Sequence, residues 1–422
     1  MANARKLALD LLEKCQAAGQ YANLALDSAI KKNPLSQADR ALLSVLVYGV
    51  LEKKLTLDYA IDSLSEGKDI EPAVREILRL GIYQLAFLEK VPDHAAVNET
   101  VELAPARAKG FVNAILRNFL RKEKKIPLPE EKIDHAFYLS VKYSVALPLV
   151  ESFLSAYGPE KTEAIFAAFG KAPGLDLRIN TLKISAADYQ KELSKIGIES
   201  RLLPNNKGVA IDSSLPVANL PGFDDGLSFV QDEASQLAVE ALGARPGEKI
   251  LDACACPGSK SFGLAIDMEN EGRVVACDLH ANKLSLVEKG AARLGITILS
   301  TLEKDAREDR PEWRESFDRV LCDVPCSGFG VLAKKPELRY KDPKESASLP
   351  AIQSAILSRS ASFLKIGGRL LYSTCTLMPQ ENGDVVRAFL DENHNFTLIE
   401  ERTLFPDVDA TDGFYFSLLE KQ

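Results

Sequence analysis

From about residue 246 onward, the sequence alternates short apolar runs with longer amphipathic segments, and this alternation constrains the fold more than any other feature. Strands that alternate with helices form a mostly parallel sheet with helices on its faces, so we expect a doubly wound, Rossmann-like α/β domain. Ligands of such sheets bind at the carboxyl ends of the strands. The expected strands are residues 249–254, 273–278, 297–302, 317–323, 369–374, 396–400 and 414–419. We expect helices at 281–294 and 349–364, with Gly367-Gly368 ending the second.

The rest of the chain follows other patterns, and 422 residues are too many for one core. Residues 1–142 carry helical periodicity only and end in a proline-rich stretch, which predicts an all-α domain. Residues 143–240 predict a small α+β domain, with helices at its start and strand-like runs at 175–179, 197–203, 209–211 and 227–230. We therefore expect three domains, at 1–142, 143–240 and 241–422.

The charge distribution bears on nucleic-acid binding. The net charge is −8, but residues 1–145 carry 21 Lys and Arg against 19 Asp and Glu, so the acidic excess lies in the remainder. The densest cationic cluster has five cations and one anion in nine residues, and its cations are Arg117, Arg121, Lys122, Lys124 and Lys125. Such a cluster is either a solvated helix end or a patch that contacts phosphates.

A second candidate RNA contact lies in the expected strand 175–179. Arg178 and Asn180 alternate there with apolar residues, which puts both polar side chains on one face. The alternatives are an exposed strand face and an RNA contact.

The cysteines and the lengths of the apolar runs bear on whether the chain is a disulfide-rich, metal-binding, membrane or secreted protein. An odd number of cysteines, seven, argues against a disulfide framework, and their spacing with only four histidines completes no zinc pattern, so we expect no metal. No apolar run is long enough for a bilayer span, and the N-terminus lacks a signal-peptide pattern. We expect a cytoplasmic monomer that contacts no membrane.

The loop after the first strand of the α/β domain, residues 252–261, is rich in small residues that let a ligand approach backbone N–H groups. It lacks the glycine spacing of a P-loop and of a dinucleotide fingerprint. The second strand ends at Asp278, about twenty residues on, where an acid can hold ribose hydroxyls. S-adenosylmethionine, which has a ribose and no phosphate, fits this pattern. The alternative is that Asp278 caps the following helix.

Two cysteines follow neighbouring strands of the expected sheet. Cys326 comes after the fourth strand and Cys375 after the fifth, so both can face one cleft. Polar loops at strand ends favour an accessible, activatable thiolate. Carbon 5 of cytosine is a poor nucleophile until a thiolate adds at carbon 6, and a carboxyl such as Asp323 can then stabilise the adduct. The target base must leave its stack to be reached.

Several strings resemble the RNA cytosine-5 methyltransferase family, namely DACACPGSKS, LCDVPCSGFG and LLYSTCTLMPQEN, with LRINTLK and LSFVQDEASQLA ahead of them. Residues 1–142 resemble the helical RNA-binding domain of the NusB type, through SQADRALLSVLVYGVLEKKLTLDYAID and FVNAILRNFL. Together they resemble a bacterial subfamily that methylates 16S rRNA. The resemblance implies this rRNA as partner, naked or in a partly assembled subunit.

The resemblance also implies residue roles. Cys375 would be the nucleophile, Cys326 would assist product release, and Asp323 would lie between cofactor and base. Asp278 would hold the ribose and Asp305 would lie near the adenine. The remaining cofactor contacts would come from the loop Cys254, Ala255, Cys256, Pro257, Gly258, Ser259 and Lys260.

The sequence departs from the family pattern at two positions. Ser259 replaces a glycine where the backbone would meet the cofactor, which predicts weaker cofactor affinity, and Tyr340 replaces a tryptophan.

Pro325-Cys326 also resembles the nucleophile motif of DNA cytosine-5 methyltransferases, which would make Cys326 the attacking residue. Further alternatives are a non-catalytic RNA-binding scaffold and a methyltransferase for proteins or small molecules.

Overall fold

Two units make up the structure, a computed structural model that describes residues 3–18, 22–171, 174–211 and 216–422. The first unit is Met1–Gly170 with Leu332–Pro343, and the second is Lys171–Val331 with Lys344–Gln422. The domain boundaries expected from the sequence stay a prediction.

Helices build the first unit, around a core to which α1 to α7 contribute apolar faces. The helical character expected for this part of the chain is confirmed, for example by α3 (Gln37–Glu52), α5 (Pro72–Phe87) and α7 (Lys109–Arg121). The helix α9 is kinked at Gly158, whose φ is 74°, just before Pro159. The helices are α1 (Ala4–Ala18), α2 (Ala22–Lys32), α3 (Gln37–Glu52), α4 (Lys54–Leu64), α5 (Pro72–Phe87), α6 (Asp93–Leu103), α7 (Lys109–Arg121), α8 (His135–Tyr143) and α9 (Leu147–Phe169).

The segment Leu332–Pro343 packs within this helical unit. Arg339 is buried there, and its guanidinium donates to the carbonyls of Tyr143 at 3.0 Å and Phe169 at 2.6 Å. The Tyr340 hydroxyl lies 2.9 Å from that of Ser144, so the residue that departs from the family pattern has a structural role in this unit.

The second unit begins with a small antiparallel sheet of order β2-β3-β1-β4, backed by α10 (Ala186–Lys195). Its strands are β1 (Leu175–Ile179), β2 (Ser200–Leu202), β3 (Gly208–Ile211) and β4 (Ser228–Val230). These strands lie within or next to the runs that sequence patterning identified, which confirms an α+β domain at this point of the chain.

A seven-stranded sheet of order β10-β11-β9-β8-β5-β6-β7 forms the rest of the second unit. Strands β5 to β9 pair in parallel, whereas β11 pairs antiparallel with β9 and β10. The expected Rossmann-like α/β class is therefore confirmed. Its strands are β5 (Lys249–Asp252), β6 (Arg273–Asp278), β7 (Leu299–Glu303), β8 (Phe317–Asp323), β9 (Leu364–Thr374), β10 (Phe396–Leu404) and β11 (Phe414–Lys421).

Helices pack on the faces of this sheet, and they are α11 (Glu233–Leu242), α12 (Ser259–Asp267), α13 (Ala281–Leu294), α14 (Leu349–Phe363) and α15 (Gly383–Glu392). One detail of the prediction was wrong, because Gly367-Gly368 lies inside β9 rather than before it. Gly367 has a φ of 74°, a conformation that glycine adopts without strain, so the chain stays in the sheet through an irregularity in the pairing with β8.

The side chains of Arg178 and Asn180 lie on one face, as predicted, but both are fully buried. Arg178 donates to Asp267, at the end of α12, over 2.6 Å. Asn180 donates to the carbonyls of Gly226 at 2.9 Å and Leu294 at 2.8 Å. The exposed-face interpretation and the RNA-binding role of these two residues are both wrong, because their polar groups fasten the small sheet to the helices of the large one.

We predict that Arg178→Met lowers the free energy of unfolding by about 3 kcal/mol, because it leaves the buried Asp267 carboxylate with Lys207 as its remaining ionic partner. The measurement is urea unfolding followed through the single tryptophan, Trp313, which lies in the second unit. Lys195→Met, which breaks an exposed pair with Glu192, is the control and should leave the midpoint unchanged. Equal midpoints for both variants would contradict the structural role of Arg178.

Candidate active site

Four parallel strands bring their carboxyl ends to one edge of the large sheet. The strands β5, β6, β8 and β9 end at Asp252, Asp278, Asp323 and Thr374. The ends of β8 and β9 are nearly level, whereas β5 ends two residues before its neighbours β6 and β8. Because β5 lies between β6 and β8, this edge contains the point where the strand order reverses.

Asp323 is the centre of a polar group at this edge. Its carboxylate accepts a hydrogen bond from Lys260 Nζ at 2.7 Å and another from the Ser373 hydroxyl at 2.8 Å. Burial alone would lower the pKa of Lys260, but the Asp323 carboxylate outweighs it and raises that pKa, with a smaller contribution from Cys375. Lys260 is therefore a stable cation beside the strand ends.

The two candidate thiols touch each other. Cys326 Sγ and Cys375 Sγ are 3.2 Å apart, and both residues are partly exposed. The hydrogen bond to Cys375 raises the pKa of the Cys326 thiol well above its usual range, and burial and the charge of Glu381 raise it further. The contact itself is compatible with either sulfur as the donor.

Close backbone packing holds Cys375 in place. Its carbonyl accepts from the N–H of Gly330 at 3.0 Å, and the carbonyl of Gly330 accepts from Gly413 at 2.8 Å. A Cβ built on Gly330 would lie 1.9 Å from the Gly413 oxygen and 2.8 Å from the Cys375 oxygen. Glycine is therefore required where this loop passes behind the nucleophile candidate.

The loop from Cys254 to Lys260 turns from β5 into α12. Gly258 has a φ of 110° and precedes the helix, while Ser259 is the first residue of α12. Burial raises the pKa of Cys254 well above its usual range and, together with Asp278, raises that of Cys256 to about 12. Both cysteines are thiols at neutral pH, so they are poor nucleophiles.

Asp278 and Asp305 occupy different environments. The Asp278 carboxylate is half-buried and accepts from the N–H groups of His280 at 2.9 Å and Cys256 at 3.4 Å. Asp278 is not the N-cap of α13, which is His280, so the helix-capping alternative is wrong, and the role of Asp278 in holding a ribose stays a prediction. Asp305 pairs with Arg307 at 2.6 Å, and this partner lowers the pKa of Asp305 to about 2.

Sequence reasoning missed three polar residues that support this edge. Asp252 accepts from the Ser261 hydroxyl at 2.5 Å, and its burial raises its pKa to about 7. Glu381 and Gln353 are buried beside the Cys326 loop. Asp252 is the first residue of the quoted loop motif and Glu381 follows the Cys375 motif, but nothing in the spacing marks Gln353.

The cationic cluster lies at the end of α7, in the first unit. Arg117, Arg121, Lys122 and Lys125 are exposed, whereas Lys124 is half-buried and pairs with Asp93 at 2.5 Å. Exposure is compatible with both a solvated helix end and a phosphate contact, so the role of this cluster stays a prediction.

The described residues contain no group of three or more His, Cys, Asp or Glu side chains that could hold a metal ion. Among the helices in the same ranges, none is long and apolar enough to cross a membrane.

Comparison with known proteins identifies the family. A model of the 16S rRNA methyltransferase RsmB/F matches residues 239–420, a NusB family model matches residues 2–121, and a ferredoxin-like domain model of RsmF/B-like methyltransferases matches residues 149–218. A probable ribosomal RNA small subunit methyltransferase B of Bacillus subtilis is 37% identical, over 99% of this chain and 98% of the relative. The chain belongs to the ribosomal RNA small subunit methyltransferase B family.

Other members and a solved structure extend this likeness over the whole chain. The ribosomal RNA small subunit methyltransferase B of Escherichia coli K12 is 32% identical, over 100% of this chain and 99% of the relative. The crystal structure of PH0851 superposes with a TM-score of 0.81 at 26% identity and covers 100% of this chain and 99% of its own. The NusB-type, ferredoxin-like and methyltransferase parts of the family are therefore all present here.

We predict that Gly330→Ala destabilises the protein by about 2 kcal/mol, because the added methyl group forces two backbone segments apart. Thermal unfolding followed by circular dichroism measures the loss of stability. The alkylation rate of Cys375 should also change, because the carbonyl of this residue is displaced. Gly110→Ala, in the helix α7 with nothing within 4 Å, is the control and should be neutral or stabilising. Unaltered melting of Gly330→Ala would contradict the close approach.

Proposed function

We propose that this chain transfers a methyl group from S-adenosylmethionine to carbon 5 of a cytosine in 16S rRNA, with Cys375 as the nucleophile. The observation that carries the proposal is the 3.2 Å contact between Cys326 and Cys375 at the ends of two adjacent strands, beside the Lys260–Asp323 pair. Relatives named ribosomal RNA small subunit methyltransferase B support rRNA as the substrate.

The residues at the sheet edge fit the proposed cofactor. Asp278 presents a half-buried carboxylate, and Gly258 has room for no side chain because a Cβ there would meet the Phe262 ring at 2.6 Å. The loop 254–260 with Asp278 would hold the ribose and methionine parts, and Asp305, whose two carboxylate oxygens both accept from Arg307, would lie near the adenine. When bound, S-adenosylmethionine supplies an electrophilic methyl group.

The reaction begins with the Cys375 thiolate. Its sulfur forms a bond to carbon 6 of the cytosine, and the electron pair of the C5–C6 double bond moves toward N3, which leaves carbon 5 nucleophilic. The Asp323 carboxylate accepts a hydrogen bond from the N4 amino group, and Lys260 and Ser373 keep that carboxylate oriented. Carbon 5 then takes the methyl group.

Release of the product needs a base for the carbon 5 proton. Once the Cys375 sulfur is a thioether, the main cause of the raised pKa of Cys326 is gone, so Cys326 can lose its proton to solvent. The Cys326 thiolate then accepts the carbon 5 proton, the C5–C6 double bond forms again, and the Cys375 sulfur leaves as a thiolate.

We predict that Cys375→Ala abolishes methyl transfer and forms no covalent protein–RNA complex, because carbon 6 is not attacked. Cys326→Ala should methylate its substrate once and then accumulate the adduct, because elimination is blocked. Labelled cofactor and rRNA, with a denaturing gel, measure both outcomes.

Cys15→Ala, a free cysteine of the first unit, is the control and should keep its activity. Adduct with Cys375→Ala and none with Cys326→Ala would reverse the two roles and favour the mechanism of DNA cytosine-5 methyltransferases. Sequencing of 5-methylcytosine in the product would test the position of the methyl group.

The exposed cations at the end of α7 are proposed to contact rRNA phosphates. We predict that replacing Arg121 and Lys122 together by Gln makes the slope of log affinity against log salt concentration shallower by about 1.5 to 2. The reason is that binding releases about one counterion fewer for each phosphate contact that is lost. Filter binding to 16S rRNA at several salt concentrations measures the slope. Lys191→Gln with Lys195→Gln, on the exposed face of α10, is the matched control. An unchanged slope would identify the cluster as a solvated helix end.

A further inference from the structure

Glu381 is a buried carboxylate that the reaction above does not use. It is 2% exposed and lies in the turn after β9, six residues past Cys375. One of its oxygens accepts from the N–H of Ser327 at 2.9 Å and from Gln353 Nε2 at 3.0 Å. Its own carbonyl accepts from the Tyr372 hydroxyl at 2.6 Å, which fixes the turn against β9.

These contacts hold the loop that carries Cys326 on both sides of the thiol. Ser327 follows Cys326 directly, and Gln353 Nε2 also donates at 2.9 Å to the carbonyl of Pro325, the preceding residue. A second link joins the Ser327 and Thr376 hydroxyls at 2.8 Å, next to Cys375. The geometry of the thiol pair therefore depends on Glu381 and on its partner Gln353 from α14.

The charges around the two thiols have opposite signs. Cys326 faces Glu381, Cys375 and Tyr372, and the interaction with Glu381 disfavours a thiolate at Cys326. Cys375 faces Lys260, and that interaction favours a thiolate at Cys375. Two groups of the same intrinsic acidity thus lie in an electrostatic gradient that runs from Glu381 to Lys260.

We propose that Glu381 is a positioning residue that fixes the Cys326 loop and, by its charge, keeps the shared proton on Cys326 so that Cys375 is the thiolate. The inference rests on the proposed function, since it explains which of the two cysteines attacks. Glu381 acts through Cys326 and touches neither base nor cofactor in the reaction above.

The test compares the reactivity of the two thiols in the full chain without RNA or cofactor. Iodoacetamide labelling at pH 6 to 10, read by mass spectrometry of the two peptides, gives the ratio of the Cys375 rate to the Cys326 rate. We expect Cys375 to react faster in the native protein, and Glu381→Gln to lower the ratio about three- to tenfold at pH 7.5, as a change of about 0.5 to 1 pKa unit requires.

Two matched variants separate charge from geometry. Glu381→Asp keeps the charge and should keep the ratio within about twofold, even where the shorter side chain slows methyl transfer. Glu401→Gln is the same substitution at a carboxylate that accepts from Tyr415 on the far side of β11, and it should leave the ratio unchanged. An unchanged ratio in Glu381→Gln, or the same fall in Glu381→Asp, would overturn the electrostatic role.

A second measurement avoids replacing Glu381. In Cys375→Ala the sulfur partner is gone, and burial together with Glu381 should still keep the labelling midpoint of Cys326 above the ordinary thiol value of about 8.5. A midpoint at or below that value would overturn the inference. Failure of the proposed function has a different signature, which is that Cys375→Ala still methylates rRNA. The labelling ratios are measured without RNA and do not depend on that outcome.

Discussion

The parallel pairing of β8 with β9 is the constraint on which the site depends. Its register places Asp323 opposite Ser373, and their side chains are hydrogen-bonded. The chains that leave these two strands then run side by side, so Cys326 meets Cys375 and Ser327 meets Thr376. A shift by one residue would turn alternate side chains to the other face of the sheet and separate every one of these pairs.

The large sheet was predictable because central strands such as β5, β6 and β8 are largely buried on both faces and stand out as apolar runs between helices. The strands β6 and β8 and the helix α13 lie where patterning placed them, at 273–278, 317–323 and 281–294. The start of β9 was not predictable from Gly367-Gly368, because a glycine pair is as compatible with an irregular strand as with a break. The ends of β6, β8 and β9, which border the candidate site, lie at the predicted residues Asp278, Asp323 and Thr374.

Arg178 and Asn180 mark the limit of this reasoning. Alternation tells which side chains share a face, but whether that face meets water depends on what packs over it. The partner of Arg178 is Asp267, which lies far along the chain, at the end of another domain's helix. A cation on a strand is usually exposed, so both alternatives assumed accessible side chains, and only the fold supplies the carboxylate and the carbonyl groups that make burial tolerable.

The ranking of the two cysteines was likewise outside the reach of spacing, since both follow parallel strands at equivalent places. The proposed difference lies in two charged side chains, Lys260 and Glu381, that the sequence does not pair with the cysteines. Asp323 compensates Lys260 at 2.7 Å, and the Ser327 N–H and Gln353 donate to the Glu381 carboxylate. Each charge is stabilised by its own partners, so neither is neutralised by the thiols it acts on. The gradient between them therefore persists before any substrate binds, and it can assign the proton in the free enzyme.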